Sequence, residues 1–358
     1  MTATFSIQGR SWGGESEPVK RPKEFACFSY DADHKFHIGA SSLKCVDEHL
    51  DSLLKTVMHH EQQTGKEVDA HIMTWRGIMT KIMSAPFDDR DGFEMNATLY
   101  RGCIFIEENH EFKVASRREQ NSQPWRGPIP QEVMQFWGYK FETLSTLPRP
   151  WGETSRDYIE NRGRAVVSNK EQYCSVVRTG IGKTNLCLGG EVDAIWDSKP
   201  PTPGAPISWV ELKTSAEIRS DRDLDAFERK LLKFWVQSFL LGVPRIVVGF
   251  RSREGVLRHL EEIDTAGIPA TAARRGRAGW DGNACINFAS AFLAWLRETI
   301  NDEGVWRIRR KAKSPVIEVF RVEEVGHGSI ILDDFMNWRI KLSLAQSSAP
   351  GEEARAEA

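Results

Sequence analysis

The chain has 358 residues, with 48 Lys and Arg against 50 Asp and Glu, a formal charge of −2 at pH 7. That balance excludes a polycationic nucleic-acid coat, so any contact with nucleic acid must come from local patches. The six cysteines are scattered without a C-x-x-C pair, which argues for reduced thiols rather than a disulfide framework or a zinc site.

In chain order, residues 1–22 are rich in Gly, Ser, Pro and Lys and are expected to form a flexible N-terminal arm. The start lacks the basic and apolar regions of a secretory leader. Apolar spacing predicts a helix over 49–62, through Leu50, Leu53, Leu54 and Val57, and another over 75–83, through Ile78, Met79 and Ile82. Strands are expected at 99–107, 173–177, 186–196 and 208–213, with the Pro-rich piece 199–206 as a hairpin loop between the last two. A long amphipathic helix follows at 227–241, then a strand at 245–250, a helix at 286–300 and a strand at 330–332. The most apolar run, Phe234 to Phe250, is broken by Gln237, Pro244 and Arg245, which argues against a membrane span. From about residue 344 the composition is that of a disordered tail. Without strict alternation of strand and helix, the class is α+β, with mixed sheets flanked by helices. A boundary inside 199–206 would split the charged segments described next, so 23–343 reads as one domain.

Gly189-Gly190-Glu191-Val192-Asp193-Ala194-Ile195-Trp196 and Trp209-Val210-Glu211-Leu212-Lys213-Thr214 each read as a short strand with charge on one face. Side chains alternate along a strand, so Glu191 and Asp193 project together, as do Glu211 and Lys213, while Val192 and Leu212 point into a core. Three carboxylates and an ammonium on adjacent strands are costly unless cations and a phosphate hold them apart. Carboxylate oxygens suit Mg²⁺ or Mn²⁺, which activate water and clamp attacking and leaving oxygens. Lys213 would then stabilise the transition state, and the Leu212 carbonyl could complete a metal shell. Taken alone, the spacing fits catalysis or two charged solvent faces equally well.

Glu142, in Trp137-Gly138-Tyr139-Lys140-Phe141-Glu142, reads as a fourth ligand or a helix-end surface charge. Gln237 sits among apolar residues on the 227–241 helix and needs a partner, either metal-bound water, the scissile phosphate or backbone. Arg76, in Thr74-Trp75-Arg76-Gly77, could fork onto a phosphate or close a structural salt bridge. Arg307-Ile308-Arg309-Arg310-Lys311-Ala312-Lys313 is the strongest basic run and reads as an RNA guide, a nuclear import signal or a solvated surface. The nine histidines show no zinc spacing, and there is no Walker loop or G-x-S-x-G.

Together these segments resemble the DXO family of decapping nucleases, and more narrowly its fungal nuclear members that bind the nuclear 5′→3′ exoribonuclease. The resemblance runs from Arg21 to about residue 340. Its most specific pieces are T-W-R-G from Thr74, W-G-Y-K-F-E ending at Glu142, Q-Y-C-S-V-V-R-T from Gln172, G-E-V-D from Gly190, E-L-K-T from Glu211 and the block from Lys230 to Arg251. It implies a PD-(D/E)xK-nuclease-like core that removes NAD caps, incompletely methylated caps and, in some members, triphosphates from RNA 5′ ends in the nucleus. Glu142, Glu191, Asp193 and Glu211 match the family's metal-binding carboxylates, and Leu212 the residue whose carbonyl joins them. Trp75, Arg76, Gly77, Lys213, Gln237, Cys174 and, more weakly, Glu48 match groups that contact substrate. One departure is visible: Ser41-Ser42-Leu43-Lys44 runs straight into Cys45-Val46-Asp47, about twenty residues shorter than in relatives. Other functional classes consistent with the residues are a non-catalytic stabilising partner of the exoribonuclease and a DNA endonuclease of the same core.

Overall fold

The computed structural model describes residues 2–8, 12–31, 33, 35–38, 49–122, 127, 129–168, 172–202, 204–276 and 279–347. The first strands are β1 (Thr2–Ser6), β2 (Val19–Tyr30) and β3 (Phe36–Ile38), followed by α1 (Asp51–Thr64), β4 (Ile72–Trp75) and α2 (Arg76–Ser84). A hairpin of β5 (Phe93–Tyr100) and β6 (Cys103–Glu108) leads to α3 (His110–Ser122), α4 (Gln131–Ser145) and α5 (Arg156–Asn161). Then come β7 (Gln172–Ile181), β8 (Thr184–Glu191), β9 (Ala194–Ile195), β10 (Trp209–Ala216), α6 (Asp221–Leu241), β11 (Arg245–Arg251) and β12 (Leu257–Asp264). The chain closes with α7 (Ile268–Arg275), α8 (Gly282–Thr299), β13 (Val305–Arg310), β14 (Val316–Glu323) and α9 (Asp333–Ser347).

Two mixed sheets result, ordered β1-β14-β13-β5-β6-β4-β8-β7-β2-β3 and β12-β11-β10-β9. β4 runs parallel to both β6 and β8, and β10 parallel to β11 through the α6 crossover; the other pairings are antiparallel. β4 is buried on both faces. Ile72 joins a core shared with α2, α6, α8 and the smaller sheet, while Met73 joins one shared with α1 and α9. Burial on both faces is what a central parallel strand requires, and the polar Thr74 is satisfied there by donating to the Ile106 carbonyl at 2.7 Å. α6 is bounded by local chemistry: the Ser220 hydroxyl accepts from the Asp223 amide, and Gly242 closes the helix at φ 70°.

The structure corrects several expectations. Where it is described, the expected arm at 1–22 is tied down: β1 pairs with β14, Phe5 packs on Phe288 and Phe292 of α8, and Ile7 is buried. The expected strand at 99–107 is a hairpin, bent at Arg101 (φ 49°) and Gly102 (φ 77°). Both turn residues take positive φ, as a two-residue hairpin loop demands, and Arg is an uncommon first choice there. Ile330 and Ile331 are buried but not in a strand; they form the turn into α9. Residues 344–347 end that helix, and 348–358 lie outside the described residues, as do 39–48 with Glu48 and the shortened segment. The basic run is mostly structural: Arg307 pairs with Glu94 at 2.7 Å, Arg309 with Glu318 at 2.9 Å, and Arg310 donates to the Asp88 carbonyl at 2.7 Å.

α9 is fastened by a buried ion pair. Arg339, 1% exposed, donates to both oxygens of Glu61 on α1 at 2.6 and 2.8 Å and also reaches Glu67. The Trp338 indole and the Val68 amide complete the coordination of Glu61. Arg339→Met should cost about 3–5 kcal/mol, because it leaves a buried carboxylate without its cation. Urea unfolding should show the midpoint falling with an unchanged m-value, and Glu61→Gln added to it should restore part of the loss.

Candidate active site

The site forms where the two sheets meet. β4 ends at Trp75, which lies opposite Gly189 of β8, and α2 begins at Arg76. A Cβ on Gly189 would stand 2.7 Å from the Trp75 ring, and one on Gly190 2.8 Å from the Arg76 Cβ and 2.9 Å from Leu241. The Gly189-Gly190 pair therefore lets Trp75 and Arg76 pack directly on β8. β8 stops at Glu191, Val192 continues with an amide bond to the Tyr173 carbonyl at 3.1 Å, and the chain then enters the smaller sheet at β9. Glu191 and Asp193 thus belong to neither one strand nor adjacent strands with Glu211, contrary to the expected continuous strand 186–196. The face alternation survives the break: Val192 is buried in the core while both carboxylates interact with each other. The loop at 199–206 does connect an antiparallel pair, β9 and β10.

On β10, Val210 and Leu212 pack against Phe141 of α4, and this contact sets Glu142 beside the carboxylates. Glu211 and Lys213 take the opposite face. Lys213 Nζ lies 2.5 Å from Glu211 Oε1 and 3.8 Å from Asp193 Oδ2. Arg76 Nη1 lies 3.8 Å from the same Glu211 oxygen, and the Leu212 amide donates to Asp193 Oδ2 at 2.7 Å. Two buried atoms here have no hydrogen-bond partner, Glu211 Oε2 and Arg76 Nη1.

Crowding dominates the electrostatics. Burial, then Asp193 and Glu142, pushes the Glu191 carboxyl up to about 8. Burial and Asp193 push Glu142 up to about 7, and burial and Glu211 push Asp193 up to about 6. Burial alone would lower Lys213, but Glu211 and Asp193 outweigh it and hold the ammonium charged. With all four ionised, the carboxylates would outnumber Lys213 and Arg76 by two charges, the charge of one divalent ion; without such an ion, the raised Glu191 and Glu142 keep part of that charge protonated near neutral pH.

As they stand, no three His, Cys, Asp or Glu side chains among the described residues are drawn together tightly enough to hold a metal ion. The donor chemistry nevertheless fits a hard cation. The ligands are oxygen only, they repel one another, and Glu211 Oε2 is a buried acceptor with nothing donating to it.

Beside Glu191 opens a cavity of about 290 Å³ lined by Trp75, Arg76, Gly77, Cys174 and Gln237, so five of the expected substrate contacts share one space. Glu48 falls outside the described residues; its neighbour His49 bonds to Glu107 at 2.6 Å and accepts the Trp75 indole N–H at its carbonyl. The same cavity is lined by Phe28, Tyr30, Lys81, Glu108 and Lys113, which the sequence reading did not single out. Phe28 and Tyr30 share a face of β2, and Lys81 lies one turn after Gly77 on α2, so their spacing carried a signal. Lys113 had none.

With this geometry in hand, relatives can be compared. A family model described as RAI1-like PD-(D/E)XK nuclease matches residues 46–336. The chain belongs to that family. Curated relatives named decapping nuclease RAI1 include the Neurospora crassa protein, 65% identical over 381 residues covering 100% of this chain and 92% of the relative. The Gibberella zeae protein is 60% identical over 376 residues, covering 97% and 100%. The 381 aligned positions exceed the 358 residues here by 23, so the alignment carries positions that this chain lacks. Among solved structures, Candida albicans Rai1 in complex with pU5-Mn²⁺ superposes with a TM-score of 0.86 at 29% identity, covering 96% of this chain and 100% of the other. Scheffersomyces stipitis Rai1 in complex with (3′-NADP)⁺ and calcium gives 0.83 at 28%, covering 95% and 100%. The RAI1-like family is thus the one that the motifs resembled, and the chain is an α+β hydrolase of the PD-(D/E)xK nuclease type.

The raised carboxylates make a pH prediction. Between the ordinary carboxylate range and about pH 8, the folded protein binds more protons than the unfolded chain. The stability that these three groups contribute should therefore be fullest below the ordinary carboxylate range and decline as pH rises from there to about 8. Melting curves in chelator from pH 5 to 8.5 should show this decline, and Glu191→Gln should make it shallower.

Proposed function

We propose that this chain is a divalent-metal-dependent hydrolase that removes NAD caps and incompletely methylated caps from RNA 5′ ends and also acts on 5′-triphosphates. The observation that carries the reading is the crowded cluster of four carboxylates around Lys213 and Arg76, one of which, Glu191, lines a nucleotide-sized cavity together with Arg76, Gln237 and Trp75. Relatives solved with pU5-Mn²⁺ and with (3′-NADP)⁺ and calcium support it.

Glu142, Glu191, Asp193 and Glu211, with the Leu212 carbonyl, would hold Mg²⁺ or Mn²⁺. A divalent ion bound there supplies an acidified water and charge for the leaving oxygen. The chain's own groups do the remaining work. Lys213 is held protonated by Glu211 and Asp193, so its ammonium faces the charge that grows on the phosphoryl oxygens. Arg76 has an unpartnered Nη1 and a planar fork suited to phosphate, and it opens α2, whose N-terminal dipole favours the same anion. Gln237 is uncharged and can orient water without altering the charge balance. Phe28, Tyr30, Trp75 and Cys174 wall the cavity with apolar surface, which limits the access of bulk water to the reacting bond. Glu48 is proposed as a further substrate contact.

Action in RNA 5′-end quality control in the nucleus, with stimulation of a 5′→3′ exoribonuclease, is proposed on the resemblance to the fungal nuclear members. The run Arg307 to Lys313 adds nothing to it, because three of its arginines are committed within the fold.

A Glu191→Ala/Asp193→Ala double variant should release intact NAD from NAD-capped RNA at least about a hundredfold more slowly, with products resolved by mass. It should still stimulate the exoribonuclease. Undiminished NAD release would refute the metal assignment, and equal cleavage of matched DNA would move the reading to a DNA endonuclease.

A further inference from the structure

A second cavity, of about 490 Å³, shares no lining residue with the one beside Glu191. The two are neighbours, because Leu241 packs on Gly190 at the active site and also lines the second cavity. One wall is β2. Every residue from Arg21 to Cys27 lines it, whereas a regular strand shows only alternate side chains to one side. Two bulges allow this. Between Lys20 and Lys23, β2 takes three steps against two on β7, and between Glu24 and Ala26 it takes two against one. β3 pairs with β2 only at Phe28–Tyr30, so among the described residues no strand covers the outer edge of 19–27. The facing wall comes from the connection between β9 and β10, through Lys199, Thr202 and Trp209.

Charge here is one-sided. Glu24 is the carboxylate that lines this cavity, and it is already engaged: Lys199 Nζ lies 2.7 Å from its Oε1, and the Ser175 hydroxyl donates to its Oε2 at 2.7 Å. Lys199 is held further by the Tyr173 and Trp209 rings, at 4.7 and 5.2 Å from their centroids. Arg21 and Lys23 line the same cavity, and neither side chain has an ion pair or hydrogen bond among the described residues. Lys23 also stands directly opposite Arg178 on β7, and like charges facing across a ladder repel. Arg178 has no carboxylate either; its guanidinium lies over the Phe25 ring at 5.4 Å. Three cations thus gather at a bulged, open edge with no acidic side chain to hold them, in a chain whose formal charge is −2.

We propose that this edge is an exosite for the phosphodiester backbone of the RNA whose 5′ end is being processed, with Arg21, Lys23 and Arg178 supplying the phosphate contacts. It rests on the decapping reading for its substrate, but its affinity for RNA does not depend on turnover. Its place in the sheet favours a strand that also occupies the active site. Cys174 of β7 lies between Glu191 of β8 and Phe28 of β2, and Lys23 is five residues further along β2. With strands about 4.8 Å apart and a rise of about 3.3 Å per residue, the edge is on the order of 20 Å from Glu191. An RNA must therefore be several nucleotides long to touch both, and the exosite makes affinity depend on length.

The test is fluorescence anisotropy of the full chain in chelator, with a 3′-labelled trinucleotide and a long RNA that share the same 5′ end. An Arg21→Met/Lys23→Met variant, which keeps the apolar stems, should bind the long RNA at least about tenfold more weakly and the trinucleotide as the wild type does. The slope of log affinity against log salt for the long RNA should shrink by about 0.7 for each cation removed. Thr202→Lys, which adds a cation to the facing wall, should tighten binding of the long RNA alone. With NAD-capped substrates, the double variant should raise KM for the long RNA and leave kcat unchanged. Melting curves establish that each variant is folded. If the folded double variant binds the long RNA as tightly as the wild type, or loses the trinucleotide equally, the exosite is refuted. If it loses only a polyglutamate peptide, the edge is a protein-docking surface and the RNA assignment is overturned. If the length-dependent loss holds while the wild type processes no RNA 5′ end, the decapping reading fails and the RNA exosite stands.

Discussion

The structure turns on the passage of the chain from the ten-stranded to the four-stranded sheet between Glu191 and Asp193. One buried residue, Val192, makes that crossing and belongs to the main core. The carboxylates on either side are held at the seam by backbone that neither sheet can release. Gly189 and Gly190 bring Trp75 and Arg76 against β8 just before the crossing, and the Leu212 amide fixes Asp193 just after it. The proposed metal ligands and the proposed phosphate contact are thus positioned by the same few residues of main chain.

The charged groups at that seam come from several elements, and the carboxylates outnumber the cations. Glu142 arrives from α4 because Phe141 packs on β10, Glu211 and Lys213 share the opposite face of β10, and Arg76 opens α2. Burial and neighbouring carboxylates raise Glu142, Glu191 and Asp193, and Glu211 and Asp193 keep Lys213 charged against the cost of its burial. Such a cluster is unfavourable for folding alone, which is the usual mark of a site shaped for a ligand. The apolar side of the neighbouring cavity, with Phe28, Tyr30 and Trp75, explains how a polar site is kept from bulk water.

Much of this was legible from residue order. The alternation in Glu191-Val192-Asp193 and Glu211-Leu212-Lys213 announced a common charged face, and it survived a break in the strand that alternation could not reveal. The apolar spacing of 227–241 marked the core of α6, although its start lies at Asp221, where Ser220 caps it. The hairpin at Arg101-Gly102 was missed because strand-like residues flank it on both sides. The fastening of β1 was missed because Phe5 finds its partners on α8, far away in sequence.

By itself, the sequence determined the chemistry: which residues carry charge, which face of each segment they take, and which family of nucleases they match. Those are local properties, fixed by side-chain type and by the period of the backbone. Only the tertiary structure decided that Glu191 and Asp193 lie on either side of a change of sheet, that Lys81, Glu108 and Lys113 line the same cavity as Glu191, and that the arginines of 307–310 are committed within the fold. These depend on contacts between segments tens to hundreds of residues apart, and no local pattern specifies which distant segments will meet.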